Sequence, residues 1–316
     1  MISSARPVRR LAALVLVVVT FLAAGCGSSN PLGGGAVSAD LNSVVVGSAD
    51  FPESNIVAEI YAQALEANGF TVGRRLGIGS RETYIPALRD HSIDLIPEYT
   101  GNLLAYFEPD NTLTAPAEVE LALAHALPGD LSILTPSPAS DTDTVTVTAA
   151  TAAKWNLTSI GDLAPYSSQV KFGAPSEFLN RPVGLPGLKA NYGLDIRPQN
   201  FVAISDGGGP ATVKALVGGT VTAANIFSTS PAIPQNNLVV LADPKNNFLA
   251  GNLVPLVSSQ KKSELLKTVL DAVSAKLTTA DLIELNTVES GNAGVDPDEA
   301  ARMWVVDAGF DQPLGR

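Results

Sequence analysis

The sequence predicts an α/β protein built as two doubly wound α/β lobes, a clamshell able to close on a solute. Three observations carry this. Strand-length apolar runs alternate with helically spaced segments from Ser43 to Ile96, and again from Asp141 to Phe227, the βα alternation of a parallel sheet. Small or polar turns follow the strands, so each series delivers its loops to one edge, where open α/β sheets bind ligands. A C-terminal segment of strands and helices is then free to return to the first lobe. A chain of 316 residues suits two domains at roughly 150 each.

Taken in order, residues 1–25 read as an export signal: Arg6, Arg9 and Arg10 supply the positive region and Leu11 to Ala24 the apolar one. That run is shorter than the roughly 20 apolar residues of a comfortable membrane span. It ends in Leu22-Ala23-Ala24-Gly25-Cys26, which resembles a bacterial lipobox, although Ala23 stands where leucine is usual. Acylation of the Cys26 thiol would anchor the exported protein at the outer face of the cytoplasmic membrane. Residues 26–41, rich in Gly, Ser and Asn, read as a flexible tether.

Lobe 1 is expected over residues 42–140. Ser43 to Ser48 is a strand and turn, and Pro52 to Asn68 has apolar residues at helical spacing, ended by Gly69. Phe70 to Val72 is a second strand and Arg81 to Asp90 a short helix. Ile93, Leu95 and Ile96 form a third, buried strand. Pro97, which lacks an N–H, is expected to stop it and to leave Glu98-Tyr99-Thr100-Gly101 as a loop at its carboxyl end. A tyrosine there has the apolar body and polar tip of a cleft wall, or is a packed loop aromatic. Ala117 to Ala126 is a further helix.

Lobe 2 is expected over residues 141–229. Asp141 to Thr148 alternates polar and β-branched residues, the period of a strand. Helices follow at Ala149 to Trp155, Gly187 to Tyr192 and Ala211 to Val217, and strands at Val170 to Gly173, Asn200 to Ile204 and Thr222 to Phe227. Asp206-Gly207-Gly208-Gly209 reads either as an anion cradle or as a tight turn that allows close packing. The return segment is expected over 230–316, with strands at Leu238 to Leu241 and Leu253 to Val257 and helices at Lys261 to Thr278, Asp281 to Thr287 and Asp296 to Ala308.

Composition excludes several functions. The formal charge is −11, and the chain beyond the export signal is three units more negative still, so nucleic acid is no partner. Cys26 is the only cysteine, and the two histidines, His91 and His125, lie far apart without a ligating partner at close spacing. The chain is therefore expected to be no enzyme and to need neither cofactor nor metal.

Several stretches together resemble a known family: Gly47-Ser48-Ala49-Asp50-Phe51-Pro52-Glu53, Glu59 to Glu66, Pro97-Glu98-Tyr99-Thr100-Gly101, Arg181 to Leu188, Gly209 to Leu216 and Ala272 to Asp281. They are similar to the substrate-binding proteins of ABC importers for osmoprotectants such as glycine betaine, choline, carnitine and proline betaine. The resemblance runs from about Val44 to Phe310. It implies the type II periplasmic-binding fold, two lobes joined by hinge strands with a small-molecule solute held between them, and permease and ATPase subunits as partners of a monomer. It also implies an aromatic cage around a trimethylammonium group, a cation that hydrogen bonds cannot hold but ring faces can. The cage maps to Tyr99 and Phe227, with Phe51 as a third wall or as a staple of the first helix. A polar contact maps to Asn102, and the hinge crossing to Asp141-Thr142-Asp143, with Asp143 on the ligand side. Arg181 is the family's carboxylate-binding arginine or a surface arginine under the Pro182 loop. This chain departs from many relatives at Ala49, where they carry lysine, and at Val213, where they carry tyrosine. The cage is thus expected to be depleted. Tyr84, Tyr106, Tyr166 and Tyr192 read as partly buried aromatics outside it, and Trp155 and Trp304 as core.

Three function classes follow. The first is a solute-binding lipoprotein for a quaternary-ammonium osmoprotectant, with an uncharged aromatic or polar organic ligand as its alternative. An enzyme on the same architecture, such as a porphobilinogen deaminase, needs a cysteine in the body of the chain to hold its cofactor, and none is present. The third is a surface sensor or adhesion module that no longer imports anything.

Overall fold

The computed structural model of the chain describes residues 40–249, 251–290 and 294–315. The export signal, Cys26 and nearly all of the tether lie outside the described residues.

The first lobe opens with β1 (Ser43–Gly47), α1 (Pro52–Ala67), β2 (Thr71–Arg75), α2 (Arg81–Arg89) and β3 (Leu95–Tyr99), with β1 parallel to both β2 and β3. Then come α3 (Thr100–Phe107), α4 (Pro116–Ala126), β4 (Leu131–Ile133) and the short β5 (Ser140–Asp141). The second lobe comprises β6 (Asp143–Thr148), α5 (Ala149–Trp155), β7 (Phe172–Ala174), α6 (Leu185–Tyr192), β8 (Phe201–Ala203), α7 (Pro210–Val217), β9 (Ala223–Phe227), α8 (Ala232–Gln235) and β10 (Leu238–Val240). The chain returns through β11 (Gly251–Ser258), α9 (Glu264–Lys276), α10 (Thr279–Ser290) and α11 (Pro297–Asp307).

The first sheet runs β2-β1-β3-β11-β4, with β5 also on β11, and the second β10-β6-β9-β7-β8. Strand alternation sorts the first core into two halves. Val44, Val46, Leu95 and Leu253 pack under α1 and α9–α11, whereas Ile96 and Leu256 pack under α2–α4. The second sheet is likewise covered on both faces, by α6 around Phe172 and by α7 around Ile226.

Three expectations are corrected. Pro97 does not stop its strand: it lies inside β3, opposite Pro255 of the antiparallel β11. Two prolines cannot exchange N–H bonds, so theirs is a non-hydrogen-bonded pair whose polar groups point outward. On that outer side β1 pairs with β3 only at Leu95, so no ladder acceptor waits for a donor that Pro97 lacks. Second, Glu98-Tyr99-Thr100-Gly101 is no loop: Glu98 and Tyr99 finish β3, and Thr100 begins α3 directly at the strand end. Third, residues 230–249 do not return to the first lobe. β10 pairs with β6, and Leu241 and Phe248 belong to the second core. The pattern of the β10 segment is the same in either sheet, and only its partner places it.

Candidate functional site

The strand ends meet at a cavity of about 550 Å³ lined from both lobes. From the first come Phe51 on the β1–α1 loop, Arg81, Glu82 and Tyr84 at the start of α2, Tyr99 closing β3, and Asn102 and Tyr106 on α3. From the second come Asp143 opening β6, Phe178, Arg181, Gly207 and Phe227 closing β9. Asp141 joins them from the crossing strand. All six residues expected to contact a ligand, Phe51, Tyr99, Asn102, Asp143, Arg181 and Phe227, border this one space. Phe51 and Phe227 approach to 5.0 Å between ring centroids, tilted by 48°. Gly207 lets them meet, because a Cβ there would lie 2.6 Å from the Phe51 Cβ. The same wall backs a second cavity of about 490 Å³.

Tyr99 is held from behind. Its hydroxyl donates to Glu53, a carboxylate in the first turn of α1 that is only 5% exposed. Glu53 also accepts from Thr229 Oγ1 at 2.6 Å and Asn286 Nδ2 at 2.6 Å. Burial raises the Glu53 pKa against these three hydrogen bonds. Asp141 is equally buried and accepts from Ser228 Oγ at 2.7 Å and the Thr229 N–H at 3.1 Å. Burial, and then the nearby Glu53 charge, raise its pKa well above the usual carboxylate range. Burial followed by the Glu53 and Asp141 charges also raises the Tyr99 phenol, so Tyr99 remains a donor.

Asp143 accepts from two neutral amides, Asn102 Nδ2 at 3.0 Å across the cleft and Asn225 Nδ2 at 3.0 Å within its own lobe. The arginines differ. Arg81, 10% exposed at its side chain, makes a bidentate pair with Glu98 at 2.9 and 2.7 Å, and Tyr84 donates to the same carboxylate at 2.7 Å. Arg181 reaches across the cleft instead. Its Nη2 and Nε lie 3.0 and 3.3 Å from the Glu82 carboxylate, with Glu177 at 3.7 Å. Burial works to raise Glu82, but the bond from Arg181 and then that from Ser80 hold it down at about 2.

The glycine turn carries no vacant anion cradle. Asp206 fills the α7 N-terminus with its own carboxylate, accepting from the Ala211 and Thr212 N–H groups at 2.6 and 3.0 Å. Among the described residues no group of three or more His, Cys, Asp or Glu side chains is disposed to hold a metal ion, and no helix is long and apolar enough to cross a membrane.

The aromatic lining is richer than expected, because Tyr84, Tyr106 and Phe178 also border the cavity. Tyr106 follows Asn102 by one helical turn on α3, and treating residues 98–102 as a loop hides that shared face. Glu53 carries a weaker signal: a carboxylate in the first turn of a helix that leaves a buried strand.

Comparison with known proteins gives three kinds of likeness. A family model for the substrate binding domain of ABC-type glycine betaine transport systems, OpuAC, matches residues 42–307. The glycine betaine-binding protein YehZ of Escherichia coli (strain K12) is 30% identical over 278 residues, 84% of this chain and 91% of the relative. The ergothioneine transport permease/ergothioneine binding protein EgtU of Helicobacter pylori (strain G27) is 26% identical over 250 residues, 77% of this chain but 44% of the longer relative. A crystal structure of a glycine betaine/carnitine/choline ABC transporter protein superposes with TM-score 0.65 at 22% identity, over 85% of this chain and 100% of that one. The last likeness concerns the fold, the two-lobed type II periplasmic-binding architecture.

Proposed function

The chain belongs to the OpuAC family, the substrate-binding domains of ABC-type glycine betaine transport systems, and on that premise we propose that it captures a quaternary-ammonium solute in the cavity between its lobes for an ABC importer. One observation carries the reading. Rings from both lobes, Tyr99, Tyr106, Phe51 and Phe227, surround a space that also holds Asp141 and Asp143, two carboxylates whose hydrogen bonds come from neutral donors. A permanent cation gains from ring faces and from uncompensated carboxylates at once, each desolvated ring contributing about 0.5–2 kcal/mol. Capture of this kind needs no catalytic residue, and the protein acts as a binding protein.

In this reading Tyr99 and Phe227 are the principal walls, Phe51 is a third, and Asn102 and Asp143 line the polar side. Closure around the hinge delivers the loaded protein to permease and ATPase subunits. Cys26 carries the lipid that keeps the monomer at the outer face of the cytoplasmic membrane. Calorimetric titration with glycine betaine, choline and ergothioneine tests the ligand class; binding of none of them would remove it. Cell fractionation tests the anchor: Cys26→Ala is expected in the soluble fraction, and equal membrane association of both forms would overturn it.

A further inference from the structure

Resting on that quaternary-ammonium reading, we propose that the cleft selects an organic cation that carries no carboxylate, and that Glu82 sets this selectivity by engaging Arg181 across the cleft. The cavity wall holds two cationic side chains, Arg81 and Arg181, against five acids, Asp50, Glu82, Asp141, Asp143 and Glu177. Neither arginine is open to a ligand. The fork of Arg81 is closed on Glu98, and Glu98 is fixed further by the Tyr84 hydroxyl and by the Tyr99 N–H at 2.9 Å. Arg81 also feels the Asp143 charge, so a ligand carboxylate entering there faces two acids already in place.

Arg181 is the cation at the opposite wall. It stands after the short turn Ser176–Leu179 in the second lobe, and its partner Glu82 belongs to the first turn of α2 in the first. Two of its nitrogens face two Glu82 oxygens, the geometry in which guanidinium recognises a carboxylate. A ligand carboxylate wanting Arg181 must displace one that the chain supplies itself. A ligand ending in an alcohol has no such need, since it can hydrogen-bond to Asp143 or Asn102 while its trimethylammonium group occupies the rings. The same charges that attract the cationic end repel a carboxylate at the other.

Choline and glycine betaine share the trimethylammonium group and differ in an alcohol against a carboxylate, so they are the probes. Titration calorimetry is expected to show the wild type preferring choline by about tenfold or more. In Glu82→Gln, which removes the charge across the cleft at an exposed position and leaves Arg181 only the longer contact to Glu177, affinity for glycine betaine should rise about tenfold while choline changes by less than about threefold. Adding Arg181→Ala to Glu82→Gln should cancel that gain, since the released guanidinium is what the carboxylate finds. Wild-type protein that binds glycine betaine as tightly as choline overturns the inference, as does a Glu82→Gln variant of unchanged thermal midpoint and unchanged ligand ratio. Either result leaves the quaternary-ammonium reading standing. Binding of neither probe by wild type or variants would remove that reading, and this inference with it.

Discussion

Phe51 and Phe227 come from different lobes and meet ring to ring, with centroids 5.0 Å apart. Each closes the inner end of its own element, the β1–α1 loop and β9, so the pair is a contact that exists only while the lobes are together. It is also the shared wall of both interlobe cavities. On the proposed reading, opening the cleft would separate the rings and dismantle the cage.

The first prediction concerns those rings. Phe227→Ala and Tyr99→Ala should each weaken binding of a quaternary cation by about 1–2 kcal/mol, roughly five- to thirtyfold. Tyr99→Phe keeps the ring but deprives Glu53 of a donor, so it should hold affinity within about threefold while lowering stability by ~1–2 kcal/mol. Titration calorimetry and urea unfolding separate the two effects. Unchanged affinity in both alanine variants would move the site elsewhere.

Arg81 and Glu98 form a buried pair whose halves are costly to leave alone. Arg81→Ala should destabilise by about 3–5 kcal/mol, because the Glu98 charge stays behind. Replacing both, Arg81→Met with Glu98→Leu, should recover most of that loss. Denaturant midpoints measured on the single and double variants check this, and a single variant within error of wild type would contradict it.

Asp141 predicts a pH effect of definite sign. Its pKa is raised in the folded protein by burial and by Glu53, so the folded state holds its proton to higher pH than the unfolded chain. Its contribution to stability is therefore complete below the unfolded carboxylate value and lost as pH rises through the folded one. The stability of Asp141→Asn relative to wild type should accordingly increase with pH across that window. Ligand-free thermal midpoints over a pH series are the measurement, and a pH-independent difference would argue against the raised pKa. For the same reason a quaternary cation beside Asp141 should release a proton on binding, seen as a dependence of calorimetric heat on buffer ionisation.

Gly184, within the stretch Arg181 to Leu188, stands where a side chain has no room. A Cβ would lie 2.1 Å from the Phe178 carbonyl oxygen and 2.9 Å from its carbon, both backbone atoms. Gly184→Ala must therefore displace the loop that carries Arg181, at a cost of about 1–3 kcal/mol. The thermal midpoint reads the cost, and an unchanged midpoint would show that the loop yields freely.

Much of this was legible from residue patterns because the lobes obey local rules. Apolar spacing marks α1 to within a residue, and the alternation of polar and β-branched residues marks β6, although the strand expected over Asp141 to Thr148 is divided between β5 and β6. The misreadings share one cause: they depend on the neighbour in space. Pro97 is tolerated because Pro255 stands opposite, and β10 belongs to the second lobe because β6 accepts it. At the site, its place at a strand end singled out Tyr99, and the family resemblance alone pointed to Phe227. The restraint on Arg181 required knowing that α2 brings Glu82 across from the other lobe.

The placement of β11 has a consequence for how the chain acquires its shape as it is made. β11 sits between β3 and β4 in the first sheet, yet it is separated from β3 by the entire second lobe. An emerging chain that has delivered β1, β2 and β3 therefore presents the wholly buried segment Leu95–Tyr99 as an open edge until residue 258 is out. An unpaired apolar edge is a template for association with other chains. Until then the first lobe depends on a holding factor or on speed, and the second lobe, complete by residue 249, is free to fold before it. Pulse proteolysis of refolding protein should find the second lobe protected earlier; simultaneous protection of both would show that the first lobe does not wait.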